Sequence, residues 1–286
     1  MLDSLITLDR RWIFLLMGLA VAIPVLTQQT FPEALTATSR NVFTAVEELP
    51  EGSLVLLAFD YDPGSAPELQ PMATAFTRHC CLKKHKMVFL TLWPTGTPMV
   101  DQTIRDVIQG EFADLNLQYG EDYVNLGYRP GNEVAIKALA TDMRKLFNTD
   151  AQGTSLDDLP LTRDVRNILA AKLALNVSAG YPGAKEWVQY GTTQGTLPLG
   201  VGVTGVQAPQ MYPYYPDQVL GILAALKGAA EYEAALGDRY ERYRDPKLNA
   251  AIQRMGPQLF AHLLMVGLIV LGNVVHFAHR RREAAQ

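Results

Sequence analysis

The chain has 286 residues, enough for one ample hydrophobic core, and its hydrophobic share of 48% is ordinary for a globular protein. A net charge of −4 excludes nucleic-acid binding by whole-chain electrostatics. Only two cysteines are present, the neighbours Cys80 and Cys81, so the fold is not a disulfide scaffold; both are expected to be small buried hydrophobes.

The first element is the uncharged run WIFLLMGLAVAIPVL, Trp12 to Leu26, preceded by Asp9, Arg10 and Arg11. As a helix it spans roughly 22 Å, and it reaches bilayer length only by extension into Thr27, Gln28 and Gln29. It is expected to be an uncleaved membrane anchor, residues 1–29; the alternative is a signal peptide, for which ALTATS at 34–39 is the best but not a clean cleavage site. A lead-in helix follows within 31–48, with Phe31, Leu35, Val42, Phe43 and Val46 near one stripe.

From Leu54 the chain settles into a rhythm in which a short apolar run ends in a Gly/Pro cluster and a helical stretch follows. Leu54–Phe59 precedes a helix reaching about Cys81, and Met87–Leu92 precedes one near 98–113. Tyr123–Leu126 precedes one near 132–147, Leu173–Val177 one near 183–190, and Leu197–Val203 a long one near 216–236. Runs such as VLLAF lack polar alternation, as strands buried on both faces do. The expectation is an α/β domain over residues 30–236, with a doubly wound, mostly parallel, five-stranded, Rossmann-like sheet. Residues 148–171 read as loop with a short helix. Residues 237–256 read as a charged stalk. The run Gln258–Ala278, QLFAHLLMVGLIVLGNVVHFA, reads as a transmembrane helix over 257–279 with Pro257 in its first turn, closed by the basic tail 280–286.

Arginines flank the outer end of both apolar segments. This predicts two passes of a bacterial inner membrane with both termini cytoplasmic and the net-acidic domain outside. The last domain helix then brings the strand starts toward the lipid and leaves the carboxyl rim facing away. The basic run Arg78, His79, Lys83, Lys84, His85, Lys86 falls at the membrane-side edge. It reads either as cations at a helix C-terminus or as a contact for lipid phosphates or an acidic partner.

Ligands of open α/β folds bind at the carboxyl ends of the strands. There the sequence offers Tyr61, Trp93, Thr95, Tyr128, Arg129, Asn132, Tyr181, Lys185, Thr204, Gln207, Tyr214 and Tyr215 as ligand- or partner-binding residues, with YPYYPD as a rigid platform. Three residues are catalytic candidates: Asp60, Asp62 and Ser178. Each has a structural alternative, since Asp caps turns and Ser fills tight ones. No metal ligand set converges in His79-Cys80-Cys81 with His85, and no cofactor is expected. His262 and His276 are placed near the two membrane interfaces. In the second apolar run, Gly267, Gly272 and Asn273 mark a helix–helix contact face for the first anchor, another copy or another protein.

Three resemblances bear on activity. FDYD, a strand ending in Asp-x-Asp, resembles the first motif of the haloacid-dehalogenase-like phosphatases. That resemblance implies Asp60 as nucleophile, Asp62 as acid/base and a Mg²⁺ beside them, although Pro63-Gly64 replaces the expected Thr or Val and no late acidic pair follows. NVSAG resembles a nucleophile elbow with Asn176 in place of its first Gly, but every later histidine lies in or beside the second apolar run. NVSAGYPGAKEWVQY and QRMGPQLFAHLLMVGLIVLGN together are similar to bacterial membrane proteins that hold one α/β domain between two anchors and carry no assigned activity. The expected role is a structural or binding subunit of a membrane assembly, with membrane lipid and other subunits or further copies as partners. An extracytoplasmic metal-dependent hydrolase and a small-ligand sensor are the alternatives.

Overall fold

A computed structural model of the chain describes residues 9–192 and 197–283. It divides into two compact units, an α/β domain over Glu33–Ala251 and a unit formed by the terminal segments up to Pro32 and from Ile252.

In the domain the strands are β1 (Leu54–Asp60), β2 (Lys86–Thr91), β3 (Tyr123–Tyr128), β4 (Leu173–Ser178), β5 (Leu199–Val203) and β6 (Gly221–Ala224). Every pairing is parallel and the order is β3-β2-β1-β4-β5-β6, with β1 and β4 adjacent at the centre. The sheet therefore has six strands, not five. The added strand, GILA, pairs with β5 from Gly200↔Gly221 to Val203↔Ala224. It lies within the stretch expected to be the start of a helix near 216–236. Four apolar residues running into an Ala-rich helix carry no period of their own, and the break is set instead by Ala225, whose φ is +56°.

α1 (Arg10–Thr27) lies in the terminal unit, and α2 (Ala37–Glu47) opens the domain. α3 (Ala66–Leu82) joins β1 to β2. α4 (Thr97–Thr103) continues as a π-helix over Ile104–Glu111 toward β3. α5 (Asn132–Thr141) leads from β3, and α6 (Ala184–Glu186) continues as π-helix after β4. α7 (Ala208–Met211) joins β5 to β6, and α8 (Ala225–Arg239) returns from β6. Alternate residues of β1 are buried on opposite sides, as crossovers on both faces require. Leu56 and Ala58 join Ile136, Leu139, Trp187 and Val188 in one core. On the other face Phe59 meets Phe89 edge-on at 5.9 Å, and Phe76 of α3 meets Tyr232 of α8 at 5.1 Å.

Glycines in β5 and β6 let helices lie close on that second face. A Cβ at Gly202 would sit 2.7 Å from Met72 Sδ, and one at Gly221 would sit 2.2 Å from the Thr38 carbonyl oxygen of α2. The latter neighbour is backbone and yields only if α2 shifts. Gly221→Ala is therefore expected to cost about 1–3 kcal/mol, measured by chemical unfolding of the detergent-solubilised chain. An unchanged midpoint would show that α2 is not seated on β6.

Residues 148–171 are irregular apart from Ile168–Ala170, but they are tied down. Arg144 donates to the carbonyls of Val165, Thr162 and Arg163, and Thr162 Oγ1 donates to Leu156 O at 2.8 Å. The expected stalk is divided between the units: residues up to Ala251 belong to the domain. There Tyr243 is buried, Asn249 Nδ2 donates to Tyr243 O at 2.8 Å, and Ala251 N–H donates to Glu233 Oε2 at 2.8 Å.

The basic run is largely consumed inside the domain. Arg78 is buried, forms a forked pair with Glu111 (2.8 and 2.6 Å) and lies 4.8 Å from the Tyr243 ring centre. His79 is buried between Glu47 and Tyr232, His85 Nε2 donates to Val46 O at 3.1 Å, and Lys83 and Lys84 pair with Glu47 and Glu51. Cys80 and Cys81 are free and buried, and burial pushes the Cys80 thiol up to about 12.

In the terminal unit, α1 (capped by Asp9) and α9 (Ala250–Glu283) are long and apolar enough to cross a membrane. Only 6% of each apolar window is buried, which distinguishes them from core helices. α9 begins at Ala250, so Pro257 is interior, not in the first turn as expected. There its missing N–H interrupts the helical backbone ladder. Gly256 is needed where the chain after α1 meets α9: a Cβ there would lie 2.3 Å from Gln29 O, and Phe31 packs on Phe260 at 6.1 Å nearby.

Candidate functional site

The order β3-β2-β1-β4-β5-β6 places the reversal of winding between β1 and β4, and open α/β folds offer their ligand crevice there. Asp60 ends β1, Ser178 ends β4, and the two are paired in register.

Asp60 is fully buried and its two oxygens are spoken for. Oδ1 accepts Leu92 N–H at 2.7 Å, from the loop after β2. Oδ2 accepts Asn176 Nδ2 of β4 and Trp187 Nε1, each at 2.8 Å. One carboxylate thus ties three segments to the end of β1. Burial raises its pKa from 3.8 to about 6 against the opposing pull of these three donors, and Glu186 adds repulsion. A nucleophile must reach a substrate, and this one is enclosed by its own hydrogen-bond partners.

Asp62 turns the chain. Its Oδ1 accepts Ser65 N–H at 2.9 Å and its carbonyl accepts Ser65 and Ala66 N–H, both at 3.1 Å. Hydrogen bonds from Ser65 hold its carboxyl below the usual range. Glu68, in the first turn of α3, accepts Gly205 N–H at 2.8 Å and links the loops after β1 and β5. Two carboxylates therefore stand at the α3 N-terminus, where a phosphate would bind in a dinucleotide fold, and they repel one. Ser178 is fully buried, and its Oγ accepts Ala184 N–H at 2.9 Å across the turn. The absent Cβ of Gly183 makes room, since it would lie 2.8 Å from that oxygen. No histidine is among the groups that hold Ser178.

The expected binding residues separate by location. Tyr61 is fully buried, its hydroxyl donating to Gln70 Oε1 at 2.8 Å, and so is not a rim residue. Its place directly after a buried strand carries the inward alternation one residue further. Trp93 is half-buried and donates from Nε1 to Pro182 O at 2.7 Å, joining the loops after β2 and β4. Thr95, Asn132 and Lys185 are exposed, while Thr204 and Gln207 are half-buried. Arg129 is half-buried, donates to Tyr128 O at 2.8 Å and stacks on Phe147 at 5.0 Å, and Tyr128 is half-buried beside it. Tyr181 is exposed, precedes a cis peptide to Pro182 and donates its hydroxyl to Glu133 Oε2, linking the turn after β4 to α5.

Tyr214 and Tyr215 lie elsewhere. YPYYPD follows α7 on the connection leading back to the start of β6, where Leu220 N–H meets Leu199 O. Tyr214 accepts from Gln189 Nε2 at 3.2 Å and Tyr215 from Asn41 Nδ2 at 3.0 Å. α7 is not among the expected elements, which pass from the strand Leu197–Val203 to a helix near 216–236. On the rim itself, the exposed apolar residues Val134 and Val206 stand in the connections after β3 and β5, and they carry neither the ring nor the charge that marks a binding residue in sequence. A cleft lined by Asp101, Arg105, Gln109, Tyr119 and Asn125 also went unread, because its walls come from segments with no shared motif.

On α9, the positions of Gly267 and Gly272 have no atom within 4 Å of where a Cβ would stand, and Asn273 Nδ2 donates back to Ile269 O at 2.8 Å. At 100° per residue Gly267, Gly272 and Asn273 point in three directions around α9, and the two glycines meet no described residue outside their own helix. No known family model, curated protein or solved structure matches the chain.

Proposed function

We propose that the chain is a membrane-anchored binding subunit of a protein assembly, held by α1 and α9 and presenting the carboxyl rim of its sheet to a protein partner. The observation that carries this reading is the fate of the candidate catalytic groups. Asp60 and Ser178 are buried and commit their side-chain oxygens to the fold, and Asp62 gives Oδ1 to the turn at Ser65. The rim exposes Val134, Tyr181 and Val206 beside Thr95, Asn132 and Lys185, a mixture suited to a contact surface. The open glycines Gly267 and Gly272 and the exposed Asn273 of α9 permit close helix approach inside the bilayer on more than one side. Both termini lie on the cytoplasmic side in this reading, as the flanking arginines favour.

The test is the mass of the full chain extracted in mild detergent from its native membrane. A species larger than one copy is expected. Asn273→Leu is expected to weaken the bilayer contact and Val206→Asp the rim contact, each releasing components without lowering thermal stability. A single-copy particle, or a phosphatase activity abolished by Asp60→Asn in a folded protein, would overturn the reading.

A further inference from the structure

Beside the edge strand β3 lies an open cleft of about 340 Å³, at the lower end of the roughly 300–1,000 Å³ range of small-molecule sites. One wall is the helix that changes from α to π at Ile104, and the other is Tyr119 with the loop at Ala151 and Gln152. The π segment contributes Ile104, Arg105 and Gln109 to the lining, and such segments are rare and concentrate at functional sites.

The cleft is a constructed one. Asn125 of β3 is buried; its Oδ1 accepts Gly127 N–H at 2.8 Å and its Nδ2 donates to Asp101 Oδ1 at 3.0 Å. The exposed Asp101 carboxylate is thereby oriented, and among the described residues its Oδ2 has no hydrogen-bond partner. Tyr119 is pinned by its hydroxyl, which donates to Asp150 Oδ2 at 2.7 Å, while Asp150 Oδ1 accepts the N–H groups of Gln152 and Thr154. Gly127 has φ +74°, and a Cβ there would press on Ala151 at 3.3 Å, so the glycine lets the loop close against the strand.

The charges in the cleft are unusual. Asp101 and Arg105 are four residues apart, a spacing at which opposite charges on a helix ordinarily meet, as Lys227 and Glu231 do here at 2.8 Å. Asp101 and Arg105 do not form an ion pair: Asp101 is held by Asn125, and the helix changes register between them. Among the described residues the Arg105 guanidinium has no hydrogen-bond or ion-pair partner. One oriented carboxylate and one unpaired guanidinium thus share a small concavity. A simple anion would meet Asp101, a simple cation would meet Arg105, and a neutral ligand would leave both charges unanswered.

We propose that this cleft binds a free amino acid as its zwitterion, with the ligand ammonium on Asp101 Oδ2, its carboxylate on Arg105, and its side chain against Tyr119 and Ile104. The lining includes none of Val134, Tyr181 and Val206, and the site does not depend on the assembly reading. The test is calorimetry on the full chain in detergent with each of the twenty common amino acids at about 10 mM, a concentration that detects even millimolar affinity. At least one is expected to bind. Its N-acetyl and C-amide derivatives, each lacking one charge, are expected to bind at least tenfold more weakly. Arg105→Gln and Asp101→Asn alter exposed side chains, and in the latter the amide oxygen still accepts from Asn125. Each is expected to keep the thermal midpoint and to lose at least tenfold in affinity. Absence of binding by all twenty, binding unchanged in both variants, or tighter binding of a neutral sugar or a simple anion would overturn the proposal.

Discussion

Replacing Asp60 with asparagine is expected to destabilise the domain by about 3 kcal/mol, and replacing it with alanine by about 5 kcal/mol, because buried donors lose their acceptor. The carboxylate serves donors from three directions: Leu92 N–H on one oxygen, and Asn176 and Trp187 on the other. An amide has one acceptor. If its oxygen faces Asn176 and Trp187, its NH₂ points at the Leu92 N–H; turned over, it points at the other two. Alanine leaves all three unanswered. Denaturant unfolding of the solubilised chain, followed by Trp fluorescence, measures the loss, and Trp187 reports on the site itself. A variant Asp60→Asn with wild-type stability would show that the carboxylate is not a structural clamp and would reopen its candidacy as a nucleophile.

The second large effect is a pair of opposed proton linkages that nearly cancel in the native protein. Burial lowers His79 from 6.5 to about 4. Neutral His79 donates from Nε2 to Glu47 (2.8 Å) and accepts the Tyr232 hydroxyl at Nδ1 (2.7 Å). Because its folded pKa is depressed, the unfolded chain takes up the proton first, and stability falls as pH drops below 6.5. Asp60 works in the other direction. Its folded pKa is raised from 3.8 to about 6, so the native state takes up the proton first and stability rises as pH drops through 6. Between pH 6.5 and 4.5 each linkage amounts to roughly 2 kcal/mol of opposite sign. The wild-type midpoint is therefore expected to change little across this window. His79→Gln, whose amide keeps a donor for Glu47 and an acceptor for Tyr232, should become more stable on acidification; Asp60→Asn should become less stable. His85, also lowered by burial, adds a smaller loss in acid. Below pH 4.5 Glu47 joins it: its carboxyl is held at about 2 by hydrogen bonds from Tyr240 and His79, which outweigh its burial, so its contribution is lost as pH falls toward that value. If both variants follow the wild-type pH profile, neither group carries the linkage.

These two residues show what the sequence reveals and what it hides. The strand–turn–helix rhythm disclosed a parallel α/β sheet because uninterrupted runs such as VLLAF have one stable use. It did not disclose β6, since GILA has no turn residue between it and the helix it feeds. That two aspartates sit where β1 ends was plain, and so was the choice between capping a turn and breaking a bond. Deciding between them required knowing that Leu92, Asn176 and Trp187, which are 32, 116 and 127 residues away, converge on one side chain. The basic run likewise read as helix C-terminal cations or as a contact for lipid or an acidic partner, and its pairing with Glu47, Glu51 and Glu111 came only with the closed fold. Local pattern specifies elements; the identity of a buried group's partner is a property of the closed fold.

β3 is the outermost strand on one side of the sheet. An outermost strand ordinarily offers a row of unused amides and carbonyls on which a foreign strand can lengthen the sheet. Here the Asn125 carbonyl already receives Ala151 N–H at 2.8 Å, and the Tyr119 hydroxyl stands within 3.4 Å of both the Asn125 amide and carbonyl. The border is sealed by the chain itself, so crowded neighbouring copies find no template there for runaway strand-to-strand growth.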